Sequence, residues 1–157
     1  DGRGPRVKSL LALMLLAAPA AAQSVGDCGD WTVAQNLPEP WENHTATYAE
    51  GQIRVAVLDT MEPAAAAMHL LVISPPLDEA GGRQCKVVSL SGGEGRPSGF
   101  LNIDFGAREA SYDPARGLVL SMPVEAFNPG TSAGDQGELT VTINQSSGEV
   151  TAEVTGS

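Results

Sequence analysis

The chain has 157 residues, of which 42% are hydrophobic, 18% charged and 4% aromatic; this length suits one domain, and the apolar share argues against a disordered chain. Nine Lys and Arg stand against 19 Asp and Glu, a formal charge of −10. That balance excludes the clustered cations that nucleic-acid binding draws on, and the basic patch that holds a protein on anionic lipid.

The first predicted element is an export signal. Arg3, Arg6 and Lys8 precede the uncharged apolar run 10–18, which is followed by Pro19 and Ala20-Ala21-Ala22. A basic start, a short apolar stretch and a small-residue exit describe a secretory signal peptide over residues 1–22, forming a helix and cleaved after Ala22. The run is shorter than the ~20 residues a spanning helix needs, so no stable membrane insertion is expected after cleavage. A compact signal beginning at Val7 would place residues 1–6 upstream of the true start. Cleavage removes Arg3, Arg6, Lys8 and Asp1, leaving a mature domain over 23–157 that is more acidic still. Such a surface repels itself and stays soluble.

Cys28 and Cys85 are the two cysteines, and both fall in the mature domain. An oxidising compartment pairs them, and the chain-entropy model credits a loop of this length with ~4 kcal/mol. Asp27 spoils the small-residue box that would precede a lipid-bearing cysteine in a bacterial lipoprotein, so no anchor is expected at Cys28. A redox role would call for a C-x-x-C pair, which is absent. Neither His44 nor His69 stands at a zinc-ligand spacing from a cysteine, so no metal or other cofactor is expected.

Beyond the signal the pattern is strand-like. Trp31 and Val33 suggest a first strand, ended by Asn36-Leu37-Pro38-Glu39-Pro40. Residues 45–48 form a weak second strand. Residues 53–58 read as a strand covered on both faces. Glu62-Pro63-Ala64-Ala65-Ala66-Ala67 reads as a helical turn. The continuous apolar run 68–73 predicts a central strand closing at Ser74-Pro75-Pro76, and 85–90 alternates. Residues 100–105 show the cleanest period-two pattern of the middle region. Tyr112-Asp113-Pro114-Ala115-Arg116-Gly117-Leu118 is a hairpin tip by its turn chemistry. Leu118, Leu120 and Met122 alternate up to a break at Pro123. Residues 139–143 and 150–154 form a terminal hairpin with one wet face. Segments 91–99 and 128–135 read as flexible loops. About eight or nine strands at this spacing predict an all-β fold, an antiparallel β-sandwich or an open β-barrel.

Chemistry-bearing patterns are sparse. The Gly-rich stretch 93–99 lacks the Gly-Lys-Ser/Thr of a P-loop, and its glycines are misplaced for a dinucleotide turn. There is no G-x-S-x-G elbow, and a serine hydrolase would depend on His44 or His69. His69 lies in an apolar strand and reads as a partly buried structural residue; His44 reads as an exposed loop residue. Asp27, Asp30, Asp59, Asp104, Asp113 and Asp135 fall at strand ends or turns, where carboxylates cap backbone N–H groups. No D-x-[DN]-x-[DN]-G loop gathers the oxygens calcium needs. Trp41, after Glu39-Pro40, reads as a ring packed over the edge of the core, with an exposed binding aromatic as the alternative; Trp41 and His44 are the candidate ligand-binding residues.

These observations predict an exported, periplasmic or secreted, acidic β domain with a structural or binding role in a bacterial cell envelope or extracellular space. Its partner would be an envelope or extracellular protein or a glycan, with no catalysis evident. The alternatives are a calcium- or carbohydrate-binding module, or a small hydrolase using turn carboxylates.

Overall fold

The long apolar runs become the interior strands of two antiparallel sheets in the computed structural model, which describes residues 23–92 and 95–156. The expected signal helix lies outside these residues, as do Gly93 and Glu94 of the expected Gly-rich loop. Ten strands are described: β1 Ser24–Asp27, β2 Thr45–Tyr48, β3 Ile53–Asp59, β4 Met68–Leu77, β5 Arg83–Ser89, β6 Asn102–Ile103, β7 Glu109–Asp113, β8 Gly117–Asn128, β9 Ala133–Ile143 and β10 Val150–Thr155. One sheet has the order β1-β5-β4-β3-β2; the other runs β10-β9-β8-β6, with β7 also on β8. The run 68–73 is therefore central in its sheet, as its continuous hydrophobicity predicts.

One core joins the sheets. Ile53, Val55, Val57, Leu70, Val72 and Val88 from the first meet Leu118, Leu120, Met122, Leu139, Val141 and Ile143 from the second. Within each strand these positions are two apart, so one pleat face supplies them all. Burial of a side chain of this size contributes roughly 1.5–3 kcal/mol. Thr140 and Thr142 alternate with them on the far side and pair with Glu153 and Thr151 of β10, giving the wet face the sequence anticipates.

The first sheet is buried on its other face too. Ala56, Leu58, His69, Val87 and Ser89 are buried, and alternation points them away from the shared core. Topology supplies the cover. β1 and β2 occupy opposite edges, so the chain between them must cross four inter-strand gaps, about 19 Å. Trp31 fixes the crossing on the outer face: its ring lies 4.7 Å from that of His69. Residues 29–40 thus form a strap, closed by Asn36 Nδ2 donating to Trp31 O at 2.7 Å and by a 3-10 turn at Ala34–Asn36. This corrects the expected strand at Trp31 and Val33. Period-two spacing across only two apolar residues does not distinguish a strand from a strap that drops one side chain onto a sheet.

The strap is tethered where it begins. Cys28 and Cys85, 57 positions apart in sequence, form a disulfide with Cα atoms 5.5 Å apart. Cys28 N donates to Cys85 O, continuing the β1–β5 ladder, in which Asp27 faces Lys86 across a 2.6 Å ion pair. That pair is largely exposed and adds at most ~1 kcal/mol; the sulfur bond is the stronger clamp.

Three breaks expected from proline and polar residues are instead passages. β4 continues through Ser74-Pro75-Pro76 because the prolines sit at a register shift between Ser74 and Leu77, where no ladder donor is required. β8 continues through Pro123, whose carbonyl accepts from Asp104 N at 2.9 Å. The missing Pro123 N–H faces the same side, where β6 ends and β7 has yet to begin, so no partner goes unfilled. The segment 128–135, expected as a loop, is half ladder: β8 and β9 pair as far as Asn128 and Ala133, leaving a turn over 129–132. Asn128 closes the turn, its Oδ1 accepting from Gly130 N at 2.9 Å and its Nδ2 donating to Asp135 at 2.8 Å.

In the middle region, β6 keeps only two residues of the alternating run 100–105. Asp104 ends it by accepting from Ala107 N at 3.2 Å and starting a 3-10 turn over Phe105–Ala107. The hairpin tip forms as expected. Asp113 Oδ1 accepts from Ala115 N and Arg116 N at 2.8 and 3.1 Å, and these bonds, with that from the Arg116 side chain, hold its pKa below the usual carboxylate range. Gly117 follows at φ 102°, a conformation L side chains rarely adopt, and a Cβ there would strike Ile143 O.

Cys28→Ser and Cys85→Ser each remove the same clamp. Both variants are expected to lose a similar stability, up to about 4 kcal/mol, read as matching falls in Tm. Clearly unequal falls, or none, would contradict the tethering role.

Candidate functional site

Pro40 stands at the N-cap with extended backbone, and Trp41–His44 follows as a single helical turn, α1. Asn43 N donates to Pro40 O at 3.0 Å, and Thr45 Oγ1 donates to Trp41 O at 2.9 Å. His44 Nδ1 lies 3.0 Å from Pro40 O. A carbonyl only accepts, so Nδ1 carries the hydrogen in this contact. The expected loop position of His44 is thus a helical turn, and the residue is half-buried. The turn turns Trp41 outward, 56% exposed, between Glu39 and Glu42.

α1 packs beside the 3-10 turn Phe105–Ala107, and an open cleft of about 450 Å³ lies between them. Glu42, Asn43 and His44 line one side; Asn102, Asp104 and Arg108 line the other. The far wall is rigid. Phe105 is buried in the core, and the Arg108 guanidinium sits 4.3 Å from its ring centroid, a cation–π arrangement. Arg108 also donates from Nε to Tyr48 Oη at 3.0 Å and from a terminal nitrogen to Phe105 O at 2.8 Å. These contacts bind β2, the 3-10 turn and the core together, and leave the cation at the cleft edge.

The two sequence candidates, Trp41 and His44, fall on one short element, but His44 lines this cleft while Trp41 lines a neighbouring open hollow with Glu39, Pro40 and Glu42, the last of which borders both. Asp104, expected as a turn cap, is one and also faces His44's cleft. Arg108, Asn102 and Glu42 escaped sequence reasoning. Arg108 had one available signal: a lone cation directly after the capped turn Asp104-Phe105-Gly106-Ala107. Cys28 and Cys85 lie at the opposite edge of the first sheet and take no part. Such an arrangement offers an aromatic face, two carboxylates, two amides and a cation, which suits recognition of a hydroxyl-rich ligand. Its lining includes no Ser, Thr or Cys side chain to act as a nucleophile.

A second hollow, about 360 Å³, lies on the outer face of the other sheet, lined by Arg116, Thr140, Thr142, Asn144, Thr151 and Glu153 among others. It is the polar face of a hairpin, and no aromatic group lines it. Among the described residues, no three His, Cys, Asp or Glu side chains converge as a metal site, and no helix is long and apolar enough to cross a membrane.

His69 stands apart from both hollows. It is fully buried, its Nδ1 2.8 Å from Ser89 Oγ and its Nε2 without a partner among the described residues. Gly99 is packed so closely that a Cβ there would lie 2.8 Å from Nε2. Burial, chiefly, and the nearby Arg96 charge push its pKa from 6.5 down to about 4, against an opposing pull from Asp59. The apolar strand led to the expectation of a partly buried histidine; the ring is instead fully buried.

The unfolded chain takes up this proton near pH 6.5 and the folded chain only near 4, so between these values the unfolded state binds more. Stability therefore falls as pH drops through that window, by at most about 3 kcal/mol, and levels off below it. Urea midpoints of the wild type and of His69→Gln, measured from pH 7.5 to 3.5, should show this acid slope in the wild type and its loss in the variant. An identical slope in both would remove His69 as the cause.

No family model matches the chain, and no curated protein or solved structure matches it either.

Proposed function

We propose that the chain is an exported, non-catalytic binding domain of the cell envelope or extracellular space. Its export segment, residues 1–22, is removed after Ala22, and residues 23–157 form a single β-sandwich domain. The observation that carries the binding role is Trp41, held out in solvent beside a cleft of mixed polar groups. A large aromatic ring left exposed on a rigid turn is a common means of gripping a ligand. The Cys28–Cys85 disulfide supports the periplasm or the exterior as the compartment, since such bonds persist where thiols are oxidised. The acidic surface supports a soluble partner or a neutral one rather than a polyanion.

The specific reading we favour for the ligand is a glycan. A sugar ring stacks its C–H face on an indole, and Glu42, which borders both the indole's hollow and the neighbouring cleft, leads on to acceptors and donors in Asn43, Asn102 and Asp104 for the hydroxyl groups of an extended glycan. Hydrolysis at Glu42 and Asp104 with His44 assisting is the competing reading, because those three groups share the cleft.

Retention on a panel of insoluble and soluble glycans discriminates between these readings. Wild type should be retained on at least one member, and Trp41→Ala should lose retention about tenfold or more while keeping its Tm, because the indole is exposed. Turnover of the retained glycan that disappears in Asp104→Asn would replace binding with catalysis. A panel with no retention would remove the glycan reading.

A further inference from the structure

Gln23 makes an unusual long-range contact. Its Oε1 accepts the main-chain N–H of Val154 at 2.7 Å, across 131 positions of sequence. β10 is an edge strand. An N–H of β10 given to Gln23 faces the open edge rather than β9, so the side chain of Gln23 caps a donor that would otherwise meet only water.

This residue directly follows Ala20-Ala21-Ala22. The inference rests on the export reading above: cleavage after Ala22 makes Gln23 the first residue and gives it a free α-amine. An amino-terminal glutamine carries its own electrophile, the side-chain amide, at five-membered-ring distance.

We propose that Gln23 is a modification site, and that the mature protein cyclises there to a pyroglutamyl terminus with the Val154 N–H as oxyanion donor. The α-amine nitrogen attacks Cδ, and the carbonyl π electrons move onto Oε1. The tetrahedral carbon then re-forms the carbonyl, the Cδ–Nε2 bond breaks, and Nε2 leaves as ammonia with the proton surrendered by the α-amine. One C–N bond forms and one breaks; no oxidant, cofactor or other reactant enters. A backbone N–H already aimed at the oxygen that acquires charge is the arrangement that lowers such a barrier. The lactam keeps that oxygen, so the acceptor for Val154 survives the reaction. The product loses the cationic amine of the terminus and resists aminopeptidases, which need a free α-amine.

The full precursor is expressed in an exporting host, and the terminal peptide of the exported protein is weighed. It should begin at residue 23, be lighter by one ammonia than the open peptide, and yield to pyroglutamyl peptidase. Freshly exported protein is then followed for ammonia release in buffer and in strong urea, alongside Val154→Pro. Proline at this position removes the outward N–H without removing a ladder bond, and its Tm reports that the variant is folded. Folded wild type should cyclise roughly tenfold faster than either the urea-unfolded chain or Val154→Pro. A terminus found open at Gln23, or equal rates in all three, overturns the proposal and leaves the export reading standing. A terminus at another residue overturns both.

Discussion

Everything on the outer side of the first sheet depends on the clamp between Cys28 and Cys85. Without it, β1 is a four-residue edge strand held to β5 by a short ladder and one exposed ion pair. With it, the strap that follows is fixed at its origin and can press Trp31 against His69. Trp31 thereby covers part of a face on which a histidine, a serine and several aliphatic side chains are buried outside the shared core, with Gly99 closing on the histidine from another side. The far end of the strap becomes α1, the element that carries Trp41 and His44. A covalent bond at one edge of the sheet thus sets the starting point of a segment whose other end presents the candidate ligand face.

The cleft itself is rigid for a separate reason. Arg108 spends its hydrogen bonds on Tyr48 and Phe105 O and its charge on the Phe105 ring. The wall behind the ligand face is therefore part of the core's mechanical structure rather than a free surface loop. Opposite it, α1 is a single turn stabilised locally by Pro40 and Thr45. A stiff wall facing a short helical turn leaves adaptation to the exposed indole, which can rotate without disturbing anything buried.

The strands with sustained hydrophobic patterns were legible: 53–58, 68–73, 118–122 and 139–143 in the sheet interiors and 150–154 at an edge all appear as strands with the anticipated faces. The hairpin tip at Asp113 was legible because Asp, Pro and Gly each have a local preference that needs no tertiary context. β1 and β7 were not, since each has one or no strongly apolar side chain and gains its place from a neighbour. The strap was hidden for a deeper reason: its position follows from strand order, which no local pattern encodes. Proline misled at two points. A missing N–H is costly only where a partner awaits it, and at Pro75-Pro76 and Pro123 the partner strand shifts or ends. Within the candidate site, Trp41 and His44 were visible by residue type, while Arg108 and Asn102 joined them only through folding across some sixty positions, as the Arg108–Tyr48 bond illustrates.

The interruption of the strand partners along β8 has a consequence for colloidal behaviour. A long, flat, unpaired strand is a template on which another chain can grow a cross-β aggregate. Here β6 and β7 divide one boundary of the second sheet into two short stubs with a proline between them, and Gln23 plugs a backbone donor on the opposite boundary. Neither rim offers an incoming strand an uninterrupted row of hydrogen-bonding groups, so the backbone itself discourages edge-to-edge growth.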